Sequence, residues 1–190
     1  MGDDGARPLT VRPFRRRLGR YTAVFEAAEA SLIADLVDQV RQLLAGRRSE
    51  TPLDPLAELT GMTVGPSKPP TDPAIARLLP DFSTDDAELS AGLRVLHEPE
   101  VIAVKDAAAV TLLDSLPRGG GQVRLDDATA TAWITALNDV RLALGVRLEI
   151  TEDDVPPPGI DDPESAEAAM YATYRWLSAV QDSLVTALMD

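Results

Sequence analysis

Residues 119–150 read "GGGQVRLDDATATAWITALNDVRLALGVRLEI", a glycine run that passes through a few alternating residues into a long amphipathic segment. The opening suits either a phosphate-cradling loop or a structural turn. A Walker loop requires GxxxxGK[ST], so that a lysine and a hydroxyl reach phosphate and magnesium, and a dinucleotide fold requires GxGxxG between a strand and a helix. "PRGGGQVRLDD" at 117–127 has neither spacing. It reads instead as a glycine turn, a short strand Gln122–Leu125, and Asp126 capping a helix from about Asp127 to Gly145.

The same form occurs a second time. "VFEAAEASLIADLVDQVRQLLA" at 24–45 aligns without gaps onto "RLDDATATAWITALNDVRLALG" at 124–145, with Ala28/Ala128, Ala30/Ala130, Val40/Val140, Arg41/Arg141 and Leu44/Leu144 matching at an offset of 100. Both segments run strand, acidic cap, amphipathic helix, so two such units can pair their strands and pack their helices. Chance similarity between two amphipathic helices is the alternative.

Outward from these units, "TVRPFRRRLGRYTAVFE" alternates around Leu18-Gly19 and predicts a two-stranded ribbon, with Tyr21–Phe25 as its better strand. Ile33, Leu36, Val37, Val40, Leu43 and Leu44 follow the helical period from Ala27 to Ala45, and Gly46 is placed to end that helix. Prolines crowd residues 46–84, a connection in which only short helical turns fit, around Pro55–Leu59 and Pro73–Leu79. Thr84 or Asp85 can cap a helix to about His97, with a kink or break at "LHEPE" (96–100) and Pro99 opening the next helix. An acidic, proline-rich linker at 151–164 precedes a final helix, from about Glu164 to Met189. The width of its apolar face implies a central helix or a partner interface, a homodimer included. The expectation is a single mainly α domain over residues 1–190. It is a helical bundle with a small β-ribbon or three-stranded sheet from the N-terminal hairpin and residues 122–125, preceded by a flexible arm at 1–13.

Composition narrows the chemistry. The chain has 190 residues, 45% of them apolar, a net charge of −13 and no cysteine, which removes disulfides, thiolate catalysis and cysteine-ligated metal. His97 is the only histidine, so no two-histidine metal site exists in one chain. No GxSxG, SxxK or HExxH occurs, and the pairs Asp85-Asp86, Asp126-Asp127 and Asp153-Asp154 sit where caps or loops are expected. The acidic linker lacks the ordered ligand spacing and central glycine of an EF-hand loop. No catalytic residue, metal or cofactor is assigned, and the chain is expected not to be an enzyme. The absence of a long apolar run and of a signal-peptide core predicts a cytoplasmic protein without a membrane anchor.

Charge is unevenly spread: residues 1–20 carry six arginines against two aspartates. Arg12, Arg15, Arg16, Arg17 and Arg20 are therefore the candidate binding residues, for an acidic protein surface first and for DNA phosphates second, against a solvated arm as the bland alternative. Trp133, Asn138 and Arg141 form the candidate structural network, Trp133 on the apolar stripe and Asn138 with Arg141 as a polar pair that fixes helix register.

"PPTDPAIARLLPD" (69–81), "LHEPEVI" (96–102), "AWITALNDVRLALGVRLEI" (132–150) and "YRWLSAVQDSLVTALM" (174–189) together resemble an actinobacterial family of unknown function, over nearly the whole chain from about Phe14 to Leu188. Members of that family include an actinomycete oxidative-stress regulator, and their genes commonly lie near those of a Clp adaptor and of cysteine biosynthesis. The resemblance implies a regulatory protein that acts through a protein partner, an alternative sigma factor in the characterised case, to raise cysteine-biosynthesis genes under oxidative stress. Direct DNA binding and an adaptor role in sulfur metabolism are the alternatives. The redox-sensing version of the role uses a cysteine pair, so a disulfide switch does not carry over to this chain. Either this member is controlled by abundance or binding, or it has diverged to another task.

Overall fold

Strands form where the alternation is cleanest. In Arg20–Phe25 (β2), Tyr21, Ala23 and Phe25 are buried and their neighbours face outward; in Gly121–Leu125 (β3), Val123 and Leu125 are buried beside exposed Gln122 and Arg124. A three-residue strand, Arg15–Arg17 (β1), completes an antiparallel sheet in the order β1-β2-β3. This computed structural model describes residue 9 and residues 12–50, 65–151 and 156–190. The expected short turn around Pro55–Leu59, most of the arm at 1–13 and residues 152–155 of the acidic linker lie outside the described residues.

Five helices accompany the sheet among the described residues: Ala27–Ser49 (α1), Pro73–Leu78 (α2), Ala87–Ser115 (α3), Asp127–Arg147 (α4) and Ala166–Met189 (α5). None is long and apolar enough to cross a membrane. The expected fold class, a helical bundle with a small three-stranded sheet, is the one observed.

The two aligned units pair through their strands. Register runs from Tyr21↔Leu125 to Phe25↔Gly121 with Ala23↔Val123 at the centre, so the central pair is itself separated by the offset of 100 seen in the sequence. Each strand is followed after one residue by its helix. Glu26 precedes α1, where its N–H donates to the Glu29 carboxylate at 2.7 Å, and Asp126 caps α4 by accepting from Thr129 N at 2.9 Å. α4 is the central helix, packed against all four others, while α5 packs on α4 and on the β1–β2 hairpin.

The core gathers at this junction. Trp133 is fully buried, with ring centroids 5.7 Å from Phe14 and 5.8 Å from Phe25, and its indole N–H donates to Ser115 Oγ at 2.7 Å. Such aromatic pairs contribute roughly 0.5–1.5 kcal/mol each beyond their buried area. The bond to Ser115 also satisfies the one polar atom of the ring.

Two helix boundaries depart from the sequence expectation for a shared reason. α1 passes Gly46 to Ser49 because Arg47, in the added turn, is buried and donates through Nε to Glu98 Oε1 at 2.7 Å. Arg94 donates to Glu98 Oε2 at 2.6 Å and to Asp81 at 2.6 Å, so one fully buried carboxylate joins α1, α3 and the segment before α3. α3, capped by Asp86 rather than Thr84 or Asp85, then runs unbroken through "LHEPE" with Pro99 inside it. Pro99 has no N–H to offer the Val95 carbonyl, and the Gly65 N–H takes that acceptor at 2.7 Å. A side chain at Gly65 would bring its Cβ within 3.1 Å of the Arg94 carbonyl oxygen and of Pro99 Cδ. Only glycine fits this approach without displacement.

Replacing Glu98 with Ala leaves two buried guanidiniums without their shared carboxylate, and the expected loss in reversible chemical denaturation is about 3–5 kcal/mol. A loss below about 1 kcal/mol would show that water reaches both arginines and that the network does not organise the bundle.

Candidate interaction surface

The β1–β2 hairpin turns at Leu18-Gly19, with φ of 50° and 71°, the positive pair that a two-residue turn matched to strand twist requires. Gly19 takes this conformation freely, whereas Leu18 takes it under strain and with its side chain fully exposed. An apolar residue thus stands at the tip of a ribbon whose arms carry arginine.

The structure separates the five sequence-selected arginines into two groups. Arg12 pairs with Glu26 at 2.6 Å and Arg20 with Asp126 at 3.1 Å. Glu26 and Asp126 are equivalent positions of the two units, each preceding its helix, so these two arginines clamp the hairpin onto both helix starts. Arg15, Arg16 and Arg17 lie on the edge strand β1, are all exposed, and form no ion pair among the described residues.

Register then places a further arginine on the same surface. Arg15↔Thr22 and Thr22↔Arg124 are opposed pairs, as are Arg17↔Arg20; residues opposed in this way share a face of the sheet. The outer face therefore presents Arg15, Arg17, Arg20 and Arg124, with Thr22, Val24 and Gln122 between them. Arg124 is held by its neighbour, donating to Gln122 Oε1 at 3.1 and 2.8 Å. Arg16 shares the Tyr21 face and, with Phe14, Thr186 and Asp190, lines a depression at the end of α5. Sequence reading selected the N-terminal arginines and missed Arg124, which is a hundred residues away in the chain. The outward parity of Arg124 in the strand Gln122–Leu125 was the available signal.

Like charges facing one another across a hairpin weaken it, and Arg17 opposite Arg20 is such a pair, with only Arg20 neutralised. A solvated edge guarded against strand addition would explain charge on β1. It does not explain positive charge continuing over β2 and β3 of an acidic chain.

Trp133 belongs to the core, while Asn138 and Arg141 are half-buried on α4. Arg141 donates through Nε to Ser178 Oγ at 2.8 Å and through Nη1 to Gln181 Oε1, both on α5. Its hydrogen-bond partners are thus across the helix interface rather than Asn138. His97 is exposed on α3 beside Phe82, with ring centroids 6.2 Å apart. Among the described residues no group of three or more His, Asp and Glu side chains is placed to hold a metal ion.

The family described as "Domain of unknown function (DUF2017)" matches residues 11–188, and the chain belongs to that family. Among similar proteins, the "Putative oxidative stress regulator AosR" of Mycobacterium leprae (strain TN) is 42% identical over 183 residues, covering 90% of this chain and 83% of that protein. The "Oxidative stress regulator AosR" of Mycobacterium tuberculosis (strain ATCC 25618 / H37Rv) and that of Mycobacterium bovis (strain ATCC BAA-935 / AF2122/97) are each 40% identical over 188 residues, with the same coverage. No solved structure matches the chain. The family is the one that the motifs at 69–81, 96–102, 132–150 and 174–189 pointed to.

The clamp at Asp126 has a pH signature. Hydrogen bonds from the Thr129 backbone and hydroxyl, then Arg20, hold its carboxyl below the ordinary carboxylate value. With the folded value lower than the unfolded one, its stabilisation is complete above the ordinary range and is lost as pH falls through the lowered value. A carboxylate NMR titration is expected to place Asp126 below an exposed aspartate, and Arg20→Ser to raise it only part of the way. Full return to the ordinary value in that variant would make the arginine, not the cap, the main cause.

Proposed function

We propose that this chain is a non-enzymatic, cytoplasmic regulatory protein of the oxidative-stress response that acts by docking the arginine-bearing face of its sheet on an acidic protein partner. The observation that carries this reading is the set of exposed arginines on β1 that form no ion pair among the described residues, Arg15 and Arg17 on a sheet face extended by Arg124 and Arg16 on the edge beside them. The names of relatives at 40–42% identity supply the regulatory context. Leu18 at the hairpin tip gives the surface an apolar anchor within a charged rim, the division of labour found at protein interfaces. A sigma factor is the expected partner and control of cysteine-biosynthesis genes the expected output.

Regulation here proceeds without thiols, since the chain has no cysteine. Mild peroxide is therefore expected to leave its partner affinity unchanged until methionines react. A fast response reversed by dithiothreitol would contradict that expectation.

A second reading rests on the same face: a ribbon with three successive arginines suits phosphate contacts, and β-ribbons do enter DNA grooves. Affinity capture from stressed and unstressed cells, with the wild type and an Arg15→Ser/Arg16→Ser/Arg17→Ser variant, separates the possibilities. Recovery of a sigma factor or polymerase subunit by the wild type, with loss in the variant, supports the proposal. Recovery of sulfur-metabolism enzymes alone would make the protein an adaptor, and tight DNA binding with a steep salt dependence would favour the second reading. The three substitutions are exposed and are expected to change stability by no more than about 0.5 kcal/mol each; unfolding of the variant would make the ribbon structural.

A further inference from the structure

Arg41 and Arg141 occupy matching positions in the two units, yet their surroundings differ in charge. Arg41, on α1, is neutralised by Asp106 of α3 at 2.8 Å and by Asp38 at 3.2 Å. Arg141, on α4, reaches α5 in the corresponding way but meets only neutral acceptors, and no carboxylate lies within ion-pair distance among the described residues. Its orientation is nonetheless fixed. Ser178 gives its proton to the Tyr174 carbonyl at 2.8 Å, Gln181 gives its amide to the Ile134 carbonyl at 3.1 Å, and the guanidinium lies 5.6 Å from the Tyr174 ring centroid. Both side chains therefore turn an oxygen toward Arg141, leaving Nη2 and one Nη1 proton uncommitted to those bonds.

Beside this guanidinium is an open cleft of about 560 Å³ lined by Arg141, Arg175, Ser178, Ala179, Gln181, Asp182 and Val185. To this lining Arg141 brings the uncommitted edge of its guanidinium. We propose that this cleft is a carboxylate-binding site, with Arg141 as the ligand-contacting residue. The planar, two-oxygen group fits the remaining edge of a fixed guanidinium. Ala179 and Val185 accommodate a short aliphatic stem. The site lies between α4 and α5 and does not depend on the role assigned to the sheet face.

The shared ligand chemistry has two sources, a free small organic acid or an acidic side chain of a bound protein. Two-dimensional NMR titration of the whole protein with propionate, against chloride at equal ionic strength, is expected to give saturable shifts at Tyr174, Ser178 and Gln181. Arg141→Gln should weaken binding by about tenfold or more, while Arg41→Gln should leave it unchanged. Ala179→Asp, which adds a carboxylate to the lining without removing the Arg141 contacts, should also weaken binding and serves if Arg141→Gln does not fold. Saturation by N-acetylglutamate N-methylamide as well as by propionate would identify an acidic side chain as an acceptable ligand, and saturation by propionate alone a free acid. Binding of phosphate as tightly as propionate, equal loss in Arg41→Gln, or no saturable shift would overturn the proposal.

Discussion

The pairing of β2 with β3 is the constraint on which the remaining architecture depends. It joins segments a hundred residues apart, so it forms against a large loop-closure entropy, and five residue pairs alone are a small return for it. The compensation comes from what the strands bring with them. Each delivers the start of a long amphipathic helix, and the antiparallel register sends α1 and α4 away from opposite ends of the strand pair. Tyr21, Ala23, Phe25, Val123 and Leu125 then form the floor on which Trp133 and Phe14 pack. The same register aligns Arg15 and Arg124 on the opposite side, so the face that builds the core and the face that meets solvent are set by one choice of pairing.

Away from the sheet the bundle is organised by charge rather than by apolar contact alone. Glu98 is completely buried between Arg47 and Arg94, a grouping whose desolvation penalty is large and whose stability contribution over an apolar replacement is small. Its effect is on geometry: it extends α1 past a glycine and ties residues 79–81 to α3. Proline inside α3 fits the same arrangement. By freeing the Val95 carbonyl it gives Gly65 a backbone partner, and so fixes where the chain returns to the bundle.

The two units differ at positions that face outward. One arginine of the matched pair is neutralised by carboxylates and the other is held by neutral acceptors, and Arg20 on β2 is clamped while the arginines of β1 form no ion pair among the described residues. Positive groups concentrated on particular surfaces of a chain with a net charge of −13 give it a polarised field, suited to steering toward acidic partners and sensitive to salt. The chain has no cysteine, so a thiol switch of its own is excluded.

Local pattern was enough for the elements themselves. Alternation marked β2 and β3, the helical period marked α1 and α4, an acid before an amphipathic run marked the cap at Asp126, and an ungapped offset of 100 pointed to two units whose strands pair. The arginine ribbon was legible for the same reason, because its residues are neighbours in the chain. What local pattern misread were Gly46 as a stop and Pro99 as a break. Each residue is unfavourable in an isolated helix by its own backbone chemistry, and each is overruled by a partner distant in sequence, Glu98 for the first and Gly65 for the second. Arg124 and the contrast between Arg41 and Arg141 depend likewise on which groups the fold brings opposite one another. The sequence by itself determined periodicity, caps and the excluded chemistries, since these follow from residues close along the chain; only the tertiary structure decided which charges are neutralised, because that depends on partners tens of residues away.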